Sequence, residues 1–106
     1  MEWAELREES KVEIKRLKAH LNIEEDTELA RLMMIKLAEE HGEFAEEFLK
    51  NQGIGRKEKL DNVKKEHLAK EMADVVFVTS LLAELHNIDL GATLTQKIAE
   101  IKERDY

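Results

Sequence analysis

The chain has 106 residues, with 24 Asp and Glu against 17 Lys and Arg, a formal charge of −7, no Cys and no Pro. Without Cys, a disulfide scaffold and any Cys-ligated zinc or iron–sulfur site are excluded. The acidic balance argues against a general binder of nucleic acid or anionic membranes, though not against a small phosphorylated ligand held through a metal ion. One domain over residues 1–106 is the expectation at this length. With four Gly and 39% charged residues, long helices joined by few turns are expected. The start, Met1-Glu2-Trp3-Ala4-Glu5, lacks a basic region followed by an apolar run. The longest apolar stretch, Val75 to Leu85, is interrupted by Thr79, Ser80 and Glu84 and is too short for a bilayer. A soluble, cytoplasmic protein is the default expectation.

Four helices fit the periodicity in chain order. The first runs from about Glu2 to His20, with Trp3, Leu6, Val12, Ile14 and Leu17 as apolar points on a charged rod. Asn22, Asp26 or Thr27 is the expected cap of the second, which reads to about Lys50. Asn51-Gln52-Gly53-Ile54-Gly55 stops it. Arg56 to Asn62 reads as a polar, basic loop that can open the third helix, which continues to about His86. Asp89 is the expected cap of a fourth helix, Leu90 to Arg104, which Leu94, Ile98 and Ile101 anchor. No strand pattern or repeat is present, so the fold class is all-α, a four-helix bundle.

The acids do not all read alike. On the second helix Glu39, Glu40, Glu43, Glu46 and Glu47 gather on one arc of about 120° at about 100° per residue. Taken alone this is a solvated face, but five acids on one stripe repel at i,i+3 and i,i+4, with only Lys36 and Lys50 to offset them. On the third helix Glu66, Lys70, Ser80 and Glu84 mark the polar side. Glu71 and Asp74 instead fall among Val75, Val78, Leu81 and Leu85. A carboxylate buried without a partner costs several kcal/mol or becomes neutral, and two of them one turn apart aggravate it. Glu40 with Glu43 and Glu71 with Asp74 are both i,i+3 pairs, each pointing its carboxylates one way. Facing each other across antiparallel helices, they offer four hard oxygen donors suited to Mg²⁺ or Mn²⁺. The Glu-x-x-His pairs of a di-iron bundle are absent at all four histidines. A surface salt-bridge cluster is the bland alternative; it leaves Glu71 and Asp74 on the wrong face.

Magnesium held by carboxylates ordinarily engages phosphate oxygens, whose remaining charge calls for Lys or Arg. Lys97 and Arg104, at i,i+7 on the fourth helix, are the candidates; pairing with Glu100 and with the helix C-terminus is their ordinary alternative. Lys36 on the acid stripe, with Arg56 and Lys57 in the loop, are weaker phosphate-binding candidates. Trp3, Phe44 and Phe48 are aromatics able to stack on a base, although helical spacing more often makes such Phe residues core.

Glu39-Glu40-x-x-Glu43 followed by Glu71-x-x-Asp74 resembles the EExxE…ExxD signature of the MazG-type all-α nucleoside triphosphate pyrophosphatases. The surroundings are similar too, from Lys36 to Glu46 with Gly42 before the third Glu, from Glu71 to Phe77, and from Asn87 to Leu90 with the later Lys97. The resemblance spans about Glu28 to Arg104. It implies Glu40, Glu43, Glu71 and Asp74 as Mg²⁺ ligands, Glu39 beside them, and Lys97 and Arg104 on the triphosphate. It also implies dimers, or dimers of dimers, that complete the bundle between subunits. The third helix, apolar nearly all round from Val75 with Phe77 on its polar side, independently calls for cover beyond one chain. The closing helix departs from the family pattern: Ile101 stands at its Asn, and Asp105-Tyr106 replace Tyr-Pro. The resemblance therefore carries no substrate preference.

The implied activity is Mg²⁺-dependent hydrolysis of a (d)NTP to (d)NMP and pyrophosphate, removing non-standard or surplus nucleotides, with Glu39 or Glu43 as proton acceptor. Mn²⁺ is the expected substitute. Phosphoribosyl-ATP pyrophosphatase shares the implied fold and metal site. A non-catalytic helical dimeric adaptor is the alternative of another class. No nucleic-acid or membrane partner is expected.

Overall fold

In a computed structural model, residues 1–55 and 64–106 are described, and all their regular structure is helical. The helices are α1 (Trp3–Leu21), α2 (Asp26–Asn51), α3 (Lys65–Leu85) and α4 (Leu90–Lys102). The expected loop Arg56–Asn62, with Arg56 and Lys57, lies outside the described residues.

Chain reversals are set by local chemistry. Asn22 takes the left-handed conformation, φ 56°, and closes α1 with its N–H on the Lys18 carbonyl. None of the three residues expected to cap α2 does so. Glu25 stands at that position and gives no side-chain cap. Asn22 is used one step earlier, because Asn tolerates positive φ better than other side chains. Asn87 repeats the device after α3, at φ 53°, with Ile88 N–H donating to the Ala83 carbonyl at 2.8 Å. Gly53, at φ 74°, ends α2 as expected. Asp89 caps α4 as expected, its Oδ1 accepting from the Ala92 N–H at 3.0 Å. That helix stops at Lys102, so Arg104 lies beyond it and does not share a helical stripe with Lys97.

The central element is α3, packed most extensively on α2 and also on α1. Its C-terminal half meets the start of α2, where Ile23, Leu29, Met33, Val78 and Leu81 form the buried core, with Ile14, Leu17 and Phe77 packed against it. The polar side of α3 is solvated as expected at Glu66 and Lys70 but not near its C-terminus. Ser80 is buried and Glu84 nearly so, because α1 covers them. Ser10, fully buried, shares a 2.8 Å hydrogen bond with Ser80, and Arg7 Nε donates to Glu84 Oε2 at 3.0 Å. Ser80 and Glu84 thus form an interhelical seam with α1 whose buried hydroxyls are satisfied.

Among the described residues, only the first turn of α4 is tied to the rest of the chain. Gly91 lies against the indole of Trp3, and every residue from Ala92 to Lys102 is exposed. Leu94, Ile98 and Ile101 therefore do not anchor α4 to its own chain; they are exposed. Trp3 packs against Gly91 at this seam and is 42% exposed. A Cβ at Gly91 would fall 2.8 Å from Trp3 Cγ. Gly91→Ala should displace the indole, lowering stability by about 1–3 kcal/mol as overpacking does. Since Trp3 is the only Trp, a shift in fluorescence emission reports this directly, and unchanged emission and melting would contradict the contact.

No single helix among the described residues is long and apolar enough to cross a membrane. The Cα radius of gyration is 16.7 Å, against about 13 Å for a closed domain of this length. The accessible area is 8251 Å², against about 6,100 Å² expected for a monomer of this mass.

Candidate metal centre

Antiparallel packing carries the second half of α2 past the first half of α3, away from the apolar core. Among the described residues one acidic group meets there: single carboxylate oxygens of Glu40, Glu43 and Glu71 all lie within 4.8 Å of one another. Glu40 and Glu43 come from one face of α2, and Glu71 reaches across from α3, so both predicted i,i+3 motifs contribute.

Burial within the trio is graded. Glu40 is 5% exposed, Glu71 is half-buried and Glu43 is exposed. Two oxygens, Glu40 Oε2 and Glu71 Oε2, are buried without a hydrogen-bond partner. An unpaired buried carboxylate oxygen is costly, and buried polar atoms are almost always paired. Here two such oxygens belong to one carboxylate group of three. Burial raises the pKa of Glu71 above the ordinary Glu value, and the charges of Glu43, Asp74 and Glu40 raise it further. A divalent cation relieves both costs together. Hard oxygen donors with an exposed side for water fit Mg²⁺ or Mn²⁺.

Asp74 is exposed, unlike the buried position expected for it on the apolar face. Dense burial on α3 begins only at Val78, opposite the start of α2, so Asp74 keeps contact with water. Its oxygens fall outside the 4.8 Å trio, although its charge acts on Glu71. Glu39 also lies outside the trio, 61% exposed at its side chain and 4.0 Å from Lys36 Nζ.

The two lysines expected to offset the acid stripe do so. Lys50 Nζ lies 2.9 Å from Glu47 and 3.9 Å from Glu46. Lys36 Nζ lies 2.9 Å from Glu40 Oε1, and this hydrogen bond and charge hold its pKa above the usual Lys value. Periodicity placed Lys36 on the stripe but did not reveal that its partner is the most buried acid of the group. Lys97 pairs with Glu100 at 3.5 Å, its ordinary alternative, and no ion pair joins it to the trio among the described residues. Phe44 and Phe48 are not core: with His41, Ala45 and Leu49 they line a shallow concavity on α2.

A family match then adds to this geometry. The sequence profile described as phosphoribosyl-ATP pyrophosphohydrolase matches residues 8–104. The chain belongs to the phosphoribosyl-ATP pyrophosphohydrolase family. It is therefore a nucleotide pyrophosphohydrolase, an enzyme of phosphoric anhydrides, and the non-catalytic adaptor is set aside. The phosphoribosyl-ATP pyrophosphohydrolase profile covers both acid motifs and α4. It shows the expected resemblance at the level of an all-α, MazG-like superfamily member. No curated protein and no solved structure gives a significant match.

Proposed function

We propose that the protein uses Mg²⁺ to hydrolyse the α–β anhydride of a nucleotide triphosphate chain. Water adds across that bond, leaving the nucleoside monophosphate, pyrophosphate and a proton. The observation that carries this reading is the trio of Glu40, Glu43 and Glu71 with two buried, unpartnered oxygens. These three residues hold the cation, with Asp74 one turn from Glu71 as a further ligand. Bound there, Mg²⁺ supplies charge that polarises phosphoryl oxygens and acidifies water.

The other residues position substrate and protons. Glu43, at the open side of the trio, or Glu39 beside it, accepts the proton of the attacking water. Lys97 and Arg104 carry the remaining phosphate charge. The exposed Lys97–Glu100 pair is of a weak kind and yields readily to a phosphate. Both standard (d)NTPs and phosphoribosyl-ATP contain the scissile chain, and the family match favours including the latter as substrate.

The working unit proposed is a dimer, or a dimer of dimers. One chain exposes about 2,000 Å² more than a closed monomer of its mass, enough for a stable interface. Leu94, Ile98 and Ile101 form an uncovered apolar stripe on α4, and Met72 and Val76 are exposed on α3.

The test is pyrophosphate release from the standard (d)NTPs, modified nucleotides and phosphoribosyl-ATP, with Mg²⁺ or with EDTA. Release from at least one compound with Mg²⁺ only is expected. Inactivity across the panel, or activity undiminished by EDTA, would overturn the proposal.

A further inference from the structure

The contact between Lys36 and Glu40 has a consequence for how the site fills. Glu40 is the most buried of the three acids, and its two oxygens differ. Oε1 accepts from Lys36 Nζ at 2.9 Å, whereas Oε2 is buried without a partner. Lys36 is one turn earlier on the same helix, and its side chain is 49% exposed, so its ammonium can leave Glu40 for water without unpacking α2. Its second acid, Glu39 Oε2 at 4.0 Å, is exposed and a weak alternative. Lys50 is taken up by Glu47 and Glu46. Lys36 is therefore the basic group in contact with the trio among the described residues.

We propose that Lys36 is an exchangeable counter-ion: it competes with the divalent cation for Glu40 and, once displaced, is delivered to the substrate's phosphate. A divalent cation and an ammonium sharing one carboxylate repel each other, so seating the first weakens the hold on the second. The displaced side chain stays tethered one turn from Glu40, beside the phosphate that the cation holds. This couples cation binding to phosphate binding through one lysine, and such coupling is reciprocal. The inference rests on the metal-site reading above and deepens it.

Mn²⁺ alone, followed by electron paramagnetic resonance or calorimetry, is the probe. Wild type, Lys36→Met, Lys36→Arg and Glu43→Gln are compared, with circular dichroism confirming that each is helical. Lys36→Met should bind Mn²⁺ about tenfold more tightly than wild type, with the charge-preserving Lys36→Arg close to wild type. At saturating Mn²⁺, Lys36→Met should raise KM for the nucleotide several-fold more than it lowers kcat. Unchanged or weaker Mn²⁺ binding by Lys36→Met, with wild type binding and Glu43→Gln impaired, overturns the counter-ion role and leaves the metal site intact. Absence of Mn²⁺ binding by wild type, or undiminished binding by Glu43→Gln, overturns both readings. If Lys36→Met proves unfolded, Lys36→Gln carries the same expectation, since it too removes the charge.

Discussion

Glu40→Gln should lower pyrophosphate release by about 100- to 1,000-fold and remove the Mg²⁺-dependent rise in melting temperature. The substitution keeps the volume and hydrogen-bonding reach of the side chain while deleting the charge of the most buried acid in the trio. A metal ion contributes several kcal/mol of transition-state stabilisation, and each 1.4 kcal/mol is tenfold in rate. The wild type should melt higher with Mg²⁺ because the cation binds only the folded arrangement of α2 and α3. In EDTA the variant should melt close to wild type, since it loses the Lys36 pair but also the repulsion with Glu43 and Glu71. Retention of full activity together with a full Mg²⁺ shift would remove Glu40 from the site.

Glu71 gives the same site a pH signature. Its carboxyl is raised above the ordinary Glu value by burial and by Glu43, Asp74 and Glu40, so the folded protein holds that proton more tightly than the unfolded chain. Stability from this group is fully present below the unfolded pKa and is lost as pH rises through the folded one. In EDTA, melting temperature should therefore fall over that interval, and Glu71→Gln should flatten the fall. A slope identical in wild type and variant would show that the group does not carry the effect.

Much of this arrangement was legible because helical periodicity is a one-dimensional signal. The four helices, the stop at Gly53, the Asp89 cap and the two acid pairs all follow from spacing along one chain. The anomaly at Glu71 was legible for the same reason: an acid on an apolar face needs a neighbour. What failed depended on how many neighbours a helix has. Ser80 and Glu84 read as solvated on a wheel, yet α1 supplies Ser10 and Arg7 to cover them. Asp74 read as buried, yet core packing on α3 is dense only from Val78 onward. Asn22 was ambiguous because the same residue suits a helix start and a left-handed helix end, and only the backbone path decides. The partner chosen by Lys36 was hidden because Glu39 and Glu40 are both within one turn, and burial selects between them.

Leu94→Glu combined with Ile98→Glu should convert the proposed dimer into a monomer and reduce its activity at least tenfold, while leaving α1 to α3 folded. Among the described residues, α4 contacts its own chain only near Gly91 and leaves Leu94, Ile98 and Ile101, at i, i+4 and i+7, exposed on one side. An amphipathic helix of 13 residues is marginal in water without a surface to bury its apolar stripe. The chain's radius of gyration and its excess surface point to the same missing cover. If a second copy provides it, unfolding is coupled to dissociation, and the wild-type melting temperature must depend on concentration. For a dimer, tenfold dilution weakens the folded state by about 1.4 kcal/mol, a fall of a few degrees for a protein of this size. The double variant should show no such dependence and should sediment as a monomer. The loss of activity follows from the phosphate role proposed for Lys97, which shares α4 with the stripe and would reach the triphosphate only with that helix held in place. A wild type that sediments as a monomer at micromolar concentration, with a melting temperature independent of dilution, would leave the stripe uncovered and remove this route from α4 to the metal centre.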